Sequence, residues 1–110
     1  PLQCEYYALE GLNQVMKTVQ LVKKSLNPKL EMEGVVFTMY DSRTNLSSEV
    51  VESVRESLNE NIYDTMIHRN VRLAEAPSYG MPITVYDTRS VGAVDYRKLA
   101  AEVRKRGEGL

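Results

Sequence analysis

Gly34-Val35-Val36-Phe37, within the segment Met32 to Tyr40, is apolar on consecutive positions. That is the pattern of a strand covered on both faces in a parallel sheet, not of a strand with one wet face. Such a strand needs helices above and below it, and the flanking sequence supplies them. From Tyr6 to Leu26, apolar residues recur at Leu9, Leu12, Val15, Met16, Val19, Val22 and Leu26, the three-and-four spacing of one helix face, and Asn27-Pro28 stops the run. From about Ser47 to Asn59, Val50, Val51, Val54 and Leu58 share a side, with Asn45 or Ser47 placed to cap the first turn.

Further along, Ile62 to Ile67 reads as a short strand. His68 to Pro82 reads as a long loop rich in breakers (Pro77, Ser78, Gly80, Pro82), and Ile83 to Tyr86 as another short strand. A last helix starts near Ser90, presents Val94, Leu99 and Val103, and ends in Arg104-Lys105-Arg106 before Gly107. The order is helix, strand, helix, strand, loop, strand, helix, an α/β layout with flanking helices on a mostly parallel sheet, and the whole of 1–110 forms one unit. So few strands leave a bare edge, so self-association is expected. The opening Pro1-Leu2-Gln3-Cys4 reads like the tail of a strand, and a fragment of a longer protein is expected.

Charge is balanced: 14 Lys and Arg against 15 Asp and Glu, net -1, so affinity for nucleic acid would have to come from local placement of cations. The single cysteine, Cys4, excludes an intramolecular disulfide and a cysteine-built zinc site, and reads best as a small buried hydrophobe. The apolar runs are far shorter than a bilayer span, so a cytoplasmic protein without membrane association is expected.

No Gly-x-x-x-x-Gly-Lys-Ser/Thr run is present, so the chain has no phosphate loop of its own. Val35 to Asp41 resembles the apolar run plus Asp that holds a magnesium site, but a strand closing at a polar turn is the simpler reading. His68 is the only histidine and lacks a glycine-flanked serine partner, so it reads as structural or solvent-facing. Tyr6-Tyr7 reads as core packing that anchors the first helix. Arg43, Arg69, Arg72 and Arg89 each follow a predicted strand and would share the carboxyl edge of a parallel sheet, where ligands of such folds bind. Two readings stay open: convergence on phosphates, or solvated charges balanced by Asp41, Glu75 and Asp87.

Three blocks in order carry a family resemblance: Pro1 to Leu12 (PLQCEYYALEGL), Thr38 to Leu46 (TMYDSRTNL) and Arg69 to Gly80 (RNVRLAEAPSYG). Together they resemble the C-terminal half of ParA/Soj-type partitioning ATPases, a deviant-Walker P-loop family with a doubly wound, mostly parallel sheet. The resemblance implies that the intact protein uses ATP and Mg2+ and forms a homodimer. The dimer would bind DNA without sequence preference and answer to a ParB-type centromere-binding protein, in nucleoid-associated fashion. The family's phosphate loop, signature lysine and magnesium-holding aspartate belong to the other half, so this chain alone is expected to be inactive and to bind no cofactor tightly. The resemblance places His68, Arg69, Asn70 and Val71 beside the adenine pocket, and Arg43 and Arg72 on the DNA backbone. The family pattern has Pro where His68 stands and a basic residue where Met81 stands. A different class of function remains: a stand-alone binding or dimerisation module that regulates a full ATPase.

Overall fold

The computed structural model describes residues 1–108. Two short strands, β1 (Leu2–Gln3) and β2 (Phe37–Thr38), pair in parallel with Leu2 opposite Phe37 and Gln3 opposite Thr38. A third extended segment joins the far side of β2 through parallel bridges, Val35 with Ile62 and Tyr40 with His68. The expected strands at Met32 to Tyr40 and Ile62 to Ile67 are therefore present, in pieces. The reason is a mismatch in length: Tyr63 N donates to Val35 O at 2.9 Å and Ile67 N to Phe37 O at 2.9 Å, so four residues of one segment span two of the other. Asp64, Thr65 and Met66 bulge out, as extra residues in a ladder must.

The bulge has its own support. Glu102 accepts hydrogen bonds from Asp64 N at 2.7 Å and Thr65 N at 2.8 Å. Burial pushes the Glu102 carboxyl up, but the hydrogen bonds from Thr65 and Asp64, together with nearby Arg106, outweigh it and leave the group below its ordinary range.

Helices α1 (Ala8–Ser25) and α2 (Asn45–Ser57) pack on one face of the sheet, where Cys4, Ala8, Leu12, Phe37, Val50 and Val54 form the core. Phe37 and Val54 are fully buried. Cys4 is buried as expected, and burial pushes its thiol up to about 11. The cap of α2 is Thr44, one residue ahead of the expected candidates, because its extended backbone lets its hydroxyl accept from Ser47 N. Val15 and Leu26, counted into the apolar face of α1, are exposed: Leu12, Met16, Val19 and Val22 carry the covered side of the helix, and Leu26 stands one residue beyond its end. Tyr6 and Tyr7 are exposed too, ahead of the first turn, and pack edge to face on each other at 5.0 Å rather than on the core.

After the third segment come α3 (Val71–Glu75), a 3-10 turn (Ala76–Tyr79), α4 (Ile83–Tyr86) and α5 (Val91–Glu108). Two sequence expectations fail here. The long loop from His68 is largely helical, and Ile83 to Tyr86 is a helical turn, not a strand. Pro82 explains the second: its fixed φ of -68° sets up the turn, and its carbonyl accepts from Val85 N at 3.0 Å and Tyr86 N at 2.9 Å. Helix α5 lies against the other face of the sheet, with Ala93 and Ile67 buried, and Ser90 caps it through Ala93 N. The α/β layout with a parallel sheet and flanking helices stands. Among the described residues no helix is long and apolar enough to cross a membrane.

Candidate functional site at the carboxyl edge of the sheet

Met39 leaves β2 with φ 54°, a left-handed conformation uncommon for a side chain of that size, and so swings the chain toward the third segment. Tyr40 then bridges to His68, their rings edge to face at 5.5 Å. The turn that follows is tightly tied: Ser47 Oγ accepts from Asp41 N, and Asp41 O accepts from Thr44 N and Thr44 Oγ1, each at 3.1 Å. Asp41 in turn takes the Arg43 guanidinium in a two-pronged grip, Nε to Oδ1 and Nη2 to Oδ2, both at 3.0 Å. That hydrogen bonding holds the Asp41 carboxyl down at about 2 and raises Arg43 above its ordinary value. The Arg43 side chain remains 84% exposed, so water screens the pair.

The neighbouring loop is built on the same plan. Arg69 N donates to Tyr40 O at 2.9 Å, and Asn70 caps α3 by accepting from Arg72 N at 3.0 Å. Arg72 meets two carboxylates: Nη1 lies 3.0 Å from Glu75 Oε2 and Nε lies 3.4 Å from Asp87 Oδ2. Tyr86 OH donates to the same Glu75 oxygen at 2.7 Å, and the Tyr86 ring stacks on Tyr79 at 5.1 Å. Glu75 is held below its ordinary value, first by the Tyr86 hydroxyl and then by Arg72. Gly80 ends the 3-10 turn at φ 64°, the left-handed position glycine takes without strain.

Between the loop and the strand ends lies a cleft of about 500 Å³, lined by Gln3, Thr38 and Met39 on one side and Arg69, Asn70 and Val71 on the other, with Leu73 and Tyr96 as further walls. Three of the four residues expected beside a base thus converge. His68 does not join them. It lines a separate cavity of about 310 Å³ with Thr65, Asp95 and Lys98, and both its backbone N and its ring Nδ1 reach Asp95 Oδ2, at 2.9 and 3.0 Å. Arg43 stands in the turn after β2 and Arg72 in the first turn of α3, and the carboxylates of the solvated-charge reading, Asp41 for Arg43 and Glu75 and Asp87 for Arg72, are their partners. Arg89 follows α4 instead of a strand, so the reason for grouping it with the others is gone. Sequence reasoning missed Tyr86 and Asp95; each acts at long sequence separation, and no local spacing marks it.

Among the described residues no group of three or more His, Cys, Asp or Glu side chains is placed to hold a metal ion. Gly34 and Gly92 serve packing, since a side chain there would strike Tyr63 or Leu73.

Comparison with known proteins agrees with this architecture. Residues 4–83 match the family described as CobQ/CobB/MinD/ParA nucleotide binding domain. The chain is 56% identical to the sporulation initiation inhibitor protein Soj of Bacillus subtilis, over 97% of this chain and 42% of that protein. It is 53% identical to the chromosome partitioning protein ParA of Caulobacter vibrioides, over 96% of this chain and 40% of that one. With the chromosome-partitioning ATPase Soj of Treponema pallidum the identity is 50%, over 94% and 41%. The chain therefore spans about 40% of the length of these relatives. With a parallel α/β core and a match over most of its length, it belongs to the CobQ/CobB/MinD/ParA nucleotide-binding domain family.

Proposed function

We propose that this chain is the base-side and DNA-facing part of a chromosome- or plasmid-partitioning ATPase. The observation that carries this reading is the convergence of Arg69, Asn70 and Val71 with the ends of β1 and β2 around one cleft, in a chain whose relatives bear partitioning names. Ligands of open parallel sheets bind at that edge. The cleft fits a flat heterocycle: apolar Met39, Val71 and Leu73 offer contact, and Asn70 and Arg69 offer polar recognition. The chain's own residues do not fit the phosphates or Mg2+, because its sequence has no phosphate loop. Those groups would be held by another part of the intact protein, which also supplies the hydrolytic chemistry.

In this reading Arg43 and Arg72 meet DNA phosphates in a homodimer, giving salt-sensitive, sequence-blind affinity. A ParB-type partner triggers release, and the protein works on the nucleoid in the cytoplasm. The test is calorimetry with ATP and Mg2+ on this 110-residue chain and on the full-length protein. Binding only by the full-length protein supports the reading; tight Mg2+-dependent binding by the short chain overturns it. In the full-length protein, Arg43→Glu and Arg72→Glu should each weaken binding to all DNA sequences alike. Unchanged DNA binding would remove the two arginines from the interface.

A second reading, a binding or dimerisation module, draws on the outer edge of β1: in the described sheet β1 pairs on one side only. Light scattering tests this second reading, since a dilute, stable monomer speaks against a module that works by association.

A further inference from the structure

Arg72 is not presented bare to solvent. One guanidinium faces two carboxylates, so the local sum is negative where the proposed ligand is a polyanion. The two carboxylates are held differently. Glu75 lies one turn along the same helix, at 3.0 Å from Nη1, and is fixed from behind by the 2.7 Å hydrogen bond from Tyr86, whose ring is itself stacked on Tyr79. Asp87 comes from a different element, at the end of α4, and touches the other side of the guanidinium through Nε at 3.4 Å. Its side chain is 34% exposed and that of Arg72 is 54% exposed, so an incoming oxyanion has access to the place Asp87 fills.

We propose that Asp87 is a built-in competitor for phosphate at Arg72, a carboxylate occupying the Nε side of the guanidinium until a nucleic-acid phosphate displaces it. The inference rests on the assignment of Arg72 to the DNA-facing surface. Glu75, anchored by Tyr86, is the positioning residue that keeps the arginine oriented while the exchange takes place. The exchange is gentle, because solvent-exposed ion pairs of this kind are weak and a phosphate bearing the same charge replaces like with like. The backbone of Asp87 is committed elsewhere: its N–H donates to Ile83 O and its carbonyl accepts from Ser90 N and Ser90 Oγ. An Asp87→Asn substitution thus removes the charge and leaves the corner between α4 and α5 in place.

The consequence is a gain of function, which damage to the fold does not produce. In the full-length protein with ATP and Mg2+, Asp87→Asn should tighten binding to double-stranded DNA of unrelated sequences by about three- to tenfold at moderate salt. The magnitude of the salt slope should rise by up to about one. The control is the same substitution in an Arg72→Ala background. If Asp87 acts through Arg72, the gain vanishes there. A gain of equal size in both backgrounds means the effect is only the change in net charge, and no gain in either means Asp87 does not compete; both overturn the inference while leaving the assignment of Arg72 intact. If Arg72→Ala by itself leaves DNA binding unchanged, the assignment fails and this inference falls with it.

Discussion

Asp95 Oδ2, on a side chain 7% exposed, lies 2.9 Å from the backbone nitrogen of His68 and 3.0 Å from its Nδ1. One buried carboxylate thereby ties α5 to the residue just ahead of the loop that lines the cleft. Asp95→Ala leaves a backbone N–H without its partner and should cost about 1–3 kcal/mol. His68→Ala keeps the backbone bond and should cost less. Urea unfolding of the two variants ranks them; the reverse order would mean that the backbone bond is not the important one.

The bulge in the third segment depends on Glu102. Glu102→Ala removes the acceptor of two backbone N–H groups and should cost about 1–2 kcal/mol at neutral pH. Because the folded carboxyl is lowered from its ordinary 4.5, the stability it contributes is complete above that value and is lost as pH falls through the lowered one. The gap between wild type and Glu102→Ala should therefore close on acidification. Chemical denaturation between about pH 7 and about pH 3 measures it, and a constant gap would exclude the charge as the source.

Two glycines should respond in opposite directions to the same change. A Cβ at Gly11, in α1, meets nothing within 4 Å, so Gly11→Ala should stabilise by about 0.5–1 kcal/mol through helix propensity alone. A Cβ at Gly92 would stand 2.5 Å from Leu73 Cγ, so Gly92→Ala should destabilise by about 1–3 kcal/mol. It should also push Leu73 toward the cleft and weaken nucleotide binding by the full-length protein. Thermal unfolding reads the first effect and calorimetry the second.

Phe37 is wholly buried against both α1 and α2 in the core. Phe37→Ala should cost about 3–5 kcal/mol, a large part of what a domain of this size has, and a soluble, cooperative unfolding transition in that variant would mean the core can collapse around the gap.

Much of this architecture was legible because burial writes itself into consecutive positions. Val35 to Phe37 announced a strand under helices; Val35 and Phe37 are buried on one face with Phe37 at the centre of the core, and Val36 between them is half-buried on the other. Ile83 to Tyr86 misled because four apolar residues fit a strand or one helical turn equally well, and the deciding fact, Pro82 setting the first turn, lies just outside them. The bulge left no local trace, since its support, Glu102, stands 37 residues beyond Thr65. At the site, one of two open readings had Asp41, Glu75 and Asp87 balance the arginines, and they do so for Arg43 and Arg72. That reading did not foretell that Tyr86 would hold Glu75, or that His68 would turn away from the cleft toward Asp95, because those contacts follow from how α4 packs on α3 and α5 on the third segment.

The buried Cys4 has a practical meaning. It is the chain's one sulfhydryl, stands where β1 hands over to α1, and at about 11 is almost entirely protonated at neutral pH, so it is a poor nucleophile twice over. An alkylating reagent reaches it only when that junction breathes open. The 110-residue chain thus carries its own single-site clock for opening of the seam beneath α1, readable by mass as one adduct per chain.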